Sequence, residues 1–127
     1  MTLEQEIRKL SGIDTIGHAL MDFVAAIHPG GSFVQEGRSW VYRPDNFVVF
    51  DVHFQRANNI SLSLRGAPHE FDQHSCLPLD YGMGRIYSRC TLDSRDQLDA
   101  AAYIRRANEL YRRGRGRPLK TEVRVEK

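Results

Sequence analysis

Between Val48 and Arg65 apolar and polar residues alternate with a period of two. Val48, Phe50, Val52 and Phe54 fall on one side of an extended segment, and Asp51, His53 and Gln55 on the other. Ile60, Leu62 and Leu64 then oppose Ser61, Ser63 and Arg65. Two such segments joined by Ala57-Asn58-Asn59 predict adjacent antiparallel strands with one buried face and one polar face. Phe33-Val34-Gln35 and Ser39-Trp40-Val41-Tyr42 precede them, with Glu36-Gly37-Arg38 and Pro44-Asp45-Asn46 as the turns. Residues 33–35, 39–42, 47–55 and 60–65 are therefore expected to form a four-stranded meander. A sheet with one apolar face needs cover, and the flanking sequence supplies it at helical spacing.

Thr2 and Gln5 have the form of a capping box ahead of Leu3, Ile7 and Leu10, with Ser11-Gly12 as the stop. A second helix is predicted after Asp14, carrying Ile16, Leu20, Phe23, Val24 and Ile27 on one stripe and ending at His28-Pro29-Gly30-Gly31. Downstream, Arg85 to Cys90 reads as a fifth strand. Ser94 with Gln97 suggests a second capping box, opening a helix from Arg95 to Arg113 on the stripe Leu98, Ala101, Ala102, Ile104, Ala107, Leu110 and Tyr111. Residues 66–84 hold three Gly and two Pro with no sustained period, which predicts a long loop with at most a short helical turn. The fold class expected is α+β: an antiparallel sheet of about five strands packed with N-terminal helices and a long C-terminal helix. With 127 residues, 41% of them hydrophobic, the chain supports one core, assigned to residues 1–113, with 114–127 as a basic tail.

The net charge of +2 conceals a division. Residues 1–104 carry nine Lys/Arg against thirteen Asp/Glu, whereas 105–127 carry nine against three. A basic end on an acidic body points to a polyanionic partner. No apolar stretch reaches the roughly 20 residues that span a bilayer, and the charged, helical N-terminus is unlike a signal peptide, so the expectation is a cytoplasmic protein without a membrane partner. Two cysteines, Cys76 and Cys90, are too few for a disulfide framework, and reduced thiols are expected.

The basic end reads Arg113-Gly114-Arg115-Gly116-Arg117-Pro118-Leu119-Lys120. It resembles the AT-hook, a short DNA-binding motif centred on Gly-Arg-Pro with basic flanks. That resemblance implies that Arg115-Gly116-Arg117 lies along the floor of an A·T-rich minor groove. The physics agrees: A·T tracts narrow the groove and deepen its negative potential, and glycine keeps the backbone slim. Pro118 would direct the chain outward, while Arg113 and Lys120 would face phosphates, a contribution that weakens with salt, and Arg112 is counted with them among the DNA-binding residues. Leu119 departs from an all-basic flank.

Other groupings are weaker. Asp51 and His53 share the polar face with Ser61, Ser63 and Arg65, so a Ser-His-Asp arrangement is conceivable, but neither serine has a nucleophile elbow. Asp51, His53, Arg65, His69 and His74 are instead assigned to a partner-binding surface. His69, Glu70, Asp72, His74 and Cys76 lack the ligand spacing of zinc sites. Asp80-Tyr81-Gly82-Met83-Gly84 reads as a turn, and Trp40, Tyr42, Phe47 and Phe50 as core or edge aromatics. No catalytic residue, metal site or cofactor is expected.

The segments Ile60 to Gly66, Gly84 to Tyr87 and Ser94 to Ala107 give the globular part an outline similar to small bacterial α+β domains of uncharacterised function found near restriction and mobile-element genes. The resemblance implies a sheet domain and assigns no residue a role. The function expected is therefore a DNA-binding or DNA-associated protein that grips A·T-rich duplex through its tail, with a protein partner or a homodimer strengthening the contact. The alternative is a protein-interaction, inhibitor or adaptor domain that uses the polar sheet face and loop 66–84.

Overall fold

The computed structural model describes residues 1–95 and 97–114. Helices α1 (Leu3–Arg8) and α2 (Asp14–Ile27) precede strands β1 (Ser32–Glu36), β2 (Ser39–Arg43), β3 (Val48–His53) and β4 (Asn59–Arg65). Two short strands, β5 (Asp80–Tyr81) and β6 (Tyr87–Leu92), and helix α3 (Ala100–Gly114) follow. The expected α+β class holds, with an antiparallel sheet of six strands in the order β1-β2-β3-β4-β6-β5.

The first capping box forms as read: Thr2 Oγ1 accepts from the Gln5 amide at 3.1 Å, and Gln5 Oε1 from the Thr2 amide at 2.8 Å. Helix α2 can lie close on α1 because residue 17 is glycine; a Cβ there would stand 2.7 Å from Ile7 Cγ2. The helices cover the face of the sheet on which the rows Trp40–Phe50–Leu62–Cys90, Val48–Leu64 and Val52–Ile60–Leu92 lie side by side. Trp40 is buried, so it is a core residue.

Cys90 sits in that core, and burial pushes its thiol up to about 12. The folded chain keeps this proton to higher pH than the unfolded chain does. Its contribution to stability is therefore full below about pH 9 and declines toward pH 12, by about 1.4 kcal/mol per pH unit. Between about pH 8 and about pH 10.5, urea unfolding should lose about 2 kcal/mol more in the parent than in Cys90→Val. Equal losses in the two proteins would mean that Cys90 is not shielded.

Three expectations need correction. The sheet has a sixth strand, because Asp80 and Tyr81 pair with Arg89 and Ser88 inside the segment read as a loop. Two 3-10 turns, Pro68–Glu70 and Met83–Arg85, further organise that segment, and the following strand starts at Tyr87 rather than Arg85. The segment is pinned to α3: the Tyr103 hydroxyl accepts from the His74 amide and donates to the Leu77 carbonyl, and Arg106 Nε donates to the Glu70 carbonyl. Lastly, α3 begins at Ala100 and not Arg95. Gln97 Oε1 accepts the amides of Asp93 and Ser94, but this closes a separate turn, and Leu98, placed on the apolar stripe by the sequence, is 59% exposed. Among the described residues no helix is long and apolar enough to cross a membrane.

Candidate functional site

Strand alternation sends Val34, Val41, Val49, Asp51, His53, Ser61, Ser63, Arg65, Arg89 and Thr91 to the sheet face opposite the helices. On the β1–β2 hairpin, Arg43 and Glu36 lie at opposite ends with the pair Val34 and Val41 between them. Their ion pair, 2.7 and 2.9 Å, therefore closes over the valines. The hydrogen bond from Arg43 holds the Glu36 carboxyl below its ordinary range, and the same bond raises the guanidinium.

Asp51 and His53 do reach this common face, but not as a catalytic relay. The Ser39 hydroxyl donates to Asp51 Oδ1 at 2.5 Å, whereas His53 Nε2 stands 3.5 Å from Ser61 Oγ. The carboxylate is thus engaged by a serine that the sequence reading did not consider. Arg65 lies two rows away along β4, stacked over the Tyr87 ring at 5.8 Å. It does not join Asp51 and His53 in one cluster.

A groove of about 690 Å³ opens at the end of β3, lined by Glu6, Arg38, Asp51, His53 and Arg56 over Val52 and Phe54. It exists because β2 pairs with β3 at only two positions, Trp40 with Phe50 and Val41 with Val49, while β3 runs on past the hairpin tip. Both acids in the groove are engaged by neutral donors, Glu6 by Trp40 Nε1 at 3.1 Å and Asp51 by Ser39. Arg38 and Arg56, a hairpin tip and a loop residue in the sequence, were not foreseen here. Their only signal was their placement beside strand-like segments, Arg38 directly before Ser39 and Arg56 directly after Gln55.

The loop residues belong elsewhere. His69 is exposed on the first 3-10 turn, and His74 packs on the Tyr103 ring with Nδ1 3.8 Å from Asp99 Oδ2. The Cys76 thiol donates to that same carboxylate at 3.4 Å. Among the described residues no group of three His, Cys, Asp or Glu side chains is placed to hold a metal ion.

A buried polar network closes the C-terminal end of α3. His28 Nδ1 faces Asn108 Oδ1 at 2.8 Å and Nε2 faces Asp45 Oδ2 at 2.5 Å; the Tyr111 hydroxyl donates to Asp45 Oδ1 at 2.7 Å. Arg112 Nε reaches Asn108 Oδ1 at 3.4 Å, and Arg112 and Arg113 are exposed on the last turn, where cations favour the helix dipole. Arg115, Gly116, Arg117, Pro118 and Lys120 lie outside the described residues. No family model, curated protein or solved structure matches the chain.

Proposed function

We propose that the chain binds duplex DNA, with the run Arg113 to Lys120 entering an A·T-rich minor groove. The observation that carries this reading is the sequence Arg115-Gly116-Arg117-Pro118, which alternates guanidinium groups with residues slim enough to enter a narrow groove. The run starts on the last turn of α3, so Arg112 and Arg113 supply adjoining positive charge from an ordered helix. The acidic body disfavours indiscriminate coating of DNA and leaves recognition to the basic end.

The deciding measurement is fluorescence anisotropy of the full chain on A·T-rich and G·C-rich duplexes at two salt concentrations. Arg117→Ala is expected to weaken A·T-rich binding by about tenfold or more, the scale of one lost groove contact, and to flatten the salt dependence. His53→Ala, on the sheet, should leave the affinity unchanged. Equal losses in both variants, or an unaffected Arg117→Ala, would refute a minor-groove hook.

A further inference from the structure

The two edges of the sheet are built differently. At one edge β5 is only two residues long, preceded by Pro78 and followed by a 3-10 turn, so little backbone is offered for pairing. At the other edge β1 presents all five residues, Ser32-Phe33-Val34-Gln35-Glu36. It has no proline, no lysine and an unbroken register, and its one charge, Glu36, is paired with Arg43, so most of the devices that blunt an edge are missing.

The ladder fixes which of its groups point outward. Arg65 N–H donates to Phe47 O, so odd-numbered residues of β3 bond to β4 and even-numbered ones, Phe50 among them, bond to β2. On β2 the odd-numbered Ser39, Val41 and Arg43 then bond to Glu36, Val34 and Ser32 of β1. The N–H and C=O groups of Phe33 and Gln35 are left pointing away from the sheet. Among the described residues they have no partner.

We infer that a second copy of this chain covers this edge, β1 against β1, about a two-fold axis at Val34. That register sets Phe33 opposite Gln35 of the second copy twice over, so the outward groups of one strand meet the complementary groups of the other in four backbone hydrogen bonds. Val34, 42% exposed, opposes its own copy, and Ser32 opposes Glu36 as a hydroxyl donor to a carboxylate. An axis at Phe33 would set Val34 against Ser32, and an axis at Gln35 would set it against Glu36, each placing an apolar side chain opposite a polar one. Only the axis at Val34 sets this exposed valine against an apolar residue; on the other face it leaves Phe33 opposite Gln35. It also continues the row Val49–Val41–Val34, spanned on each copy by the Arg43–Glu36 ion pair, into its symmetry mate on the helix-free face.

The strand's self-complementarity is what selects a second copy over a foreign peptide. The inference stands independently of the DNA reading. If both hold, the dimer carries two basic runs and gains affinity through effective concentration.

The test is sedimentation equilibrium of the full chain between about 5 and 200 µM, a range in which a short edge contact should show mass action. The parent is expected to dimerise. Val34→Lys and Val34→Glu each place like charges opposite one another at the axis and should weaken the dimer at least about tenfold, while an equimolar mixture of the two should restore it. Both substitutions leave the Val34 backbone bonds to Val41 in place, and thermal unfolding should confirm that each variant folds. Gln35→Pro gives a second reading, because it removes an outward N–H that the monomer does not use. A parent that stays monomeric throughout, a dimer indifferent to both charges, or a mixture that fails to reassociate would each overturn the inference.

Discussion

His28→Ala is expected to lower folding stability by about 3–5 kcal/mol, far more than the loss of one hydrogen bond would suggest. The ring serves Asp45 on one side and Asn108 on the other, and both of those residues are tied to α3: Asn108 is part of the helix and Asp45 accepts from Tyr111. The His28 carbonyl also accepts from the buried Tyr42 hydroxyl at 2.5 Å, and the Asn108 amide reaches the Ile27 carbonyl at 3.4 Å. Truncation leaves Asp45 Oδ2 and Asn108 Oδ1 without this partner and opens a void against Phe47, whose ring centroid is 5.2 Å away. The connection between α2, the β2–β3 turn and α3 is thereby loosened at one point. Urea unfolding measures the total. A double-mutant cycle with Tyr111→Phe should return a coupling above about 0.5 kcal/mol, since the two residues share the Asp45 carboxylate. A loss under about 1 kcal/mol would show that the network is solvated and contributes little.

None of that network was visible in the sequence. His28 marks the end of a helix, Asp45 sits in a turn, Tyr111 lies on what reads as an apolar stripe and Asn108 is not on it, so their convergence depends on sequence separations of 17 to 80 residues. The sheet was legible because β3 and β4 are half-buried and their alternation is complete; the side on which Asp51, His53, Ser61 and Arg65 fall follows from parity alone. Parity does not say which of them touch. Asp51 is engaged by Ser39, from a strand whose register was unknown, and Arg65 is separated from His53 by the length of β4.

The misread parts share a physical cause. β5 has two residues, too short for any period to register, and its pairing with β6 comes from the fold around it. The Ser94–Gln97 signature is genuine local chemistry, yet the side chain caps a turn rather than the helix. The groove at the end of β3 is a mismatch in strand length, β2 stopping where β3 continues, and a single sequence carries no mark of where a ladder ends.

Gly66→Ala is expected to cost about 2–4 kcal/mol, which for a domain of this size is a fall in melting temperature on the order of 10–20 °C. Gly66 has φ +118°, a region that residues with a Cβ rarely adopt, and that Cβ would stand 2.4 Å from Leu110 Cδ1 and 3.0 Å from Phe71 Cε1. Two different costs are therefore combined, one in the backbone and one in packing, and they can be separated. In a Leu110→Ala background the nearest obstruction is gone, so the packing part of the penalty should disappear while the backbone part persists. The backbone cannot simply relax, because the Gly66 amide donates to the Ile86 carbonyl at 2.9 Å and its carbonyl accepts from the buried Ser88 hydroxyl at 2.7 Å. These bonds hold the exit of β4 against β6 in the conformation that excludes a side chain. If Gly66→Ala becomes nearly neutral in the Leu110→Ala background, the contact with α3 rather than the backbone conformation is what requires glycine. If most of the loss remains, the turn out of β4 sets the requirement and α3 packs around it.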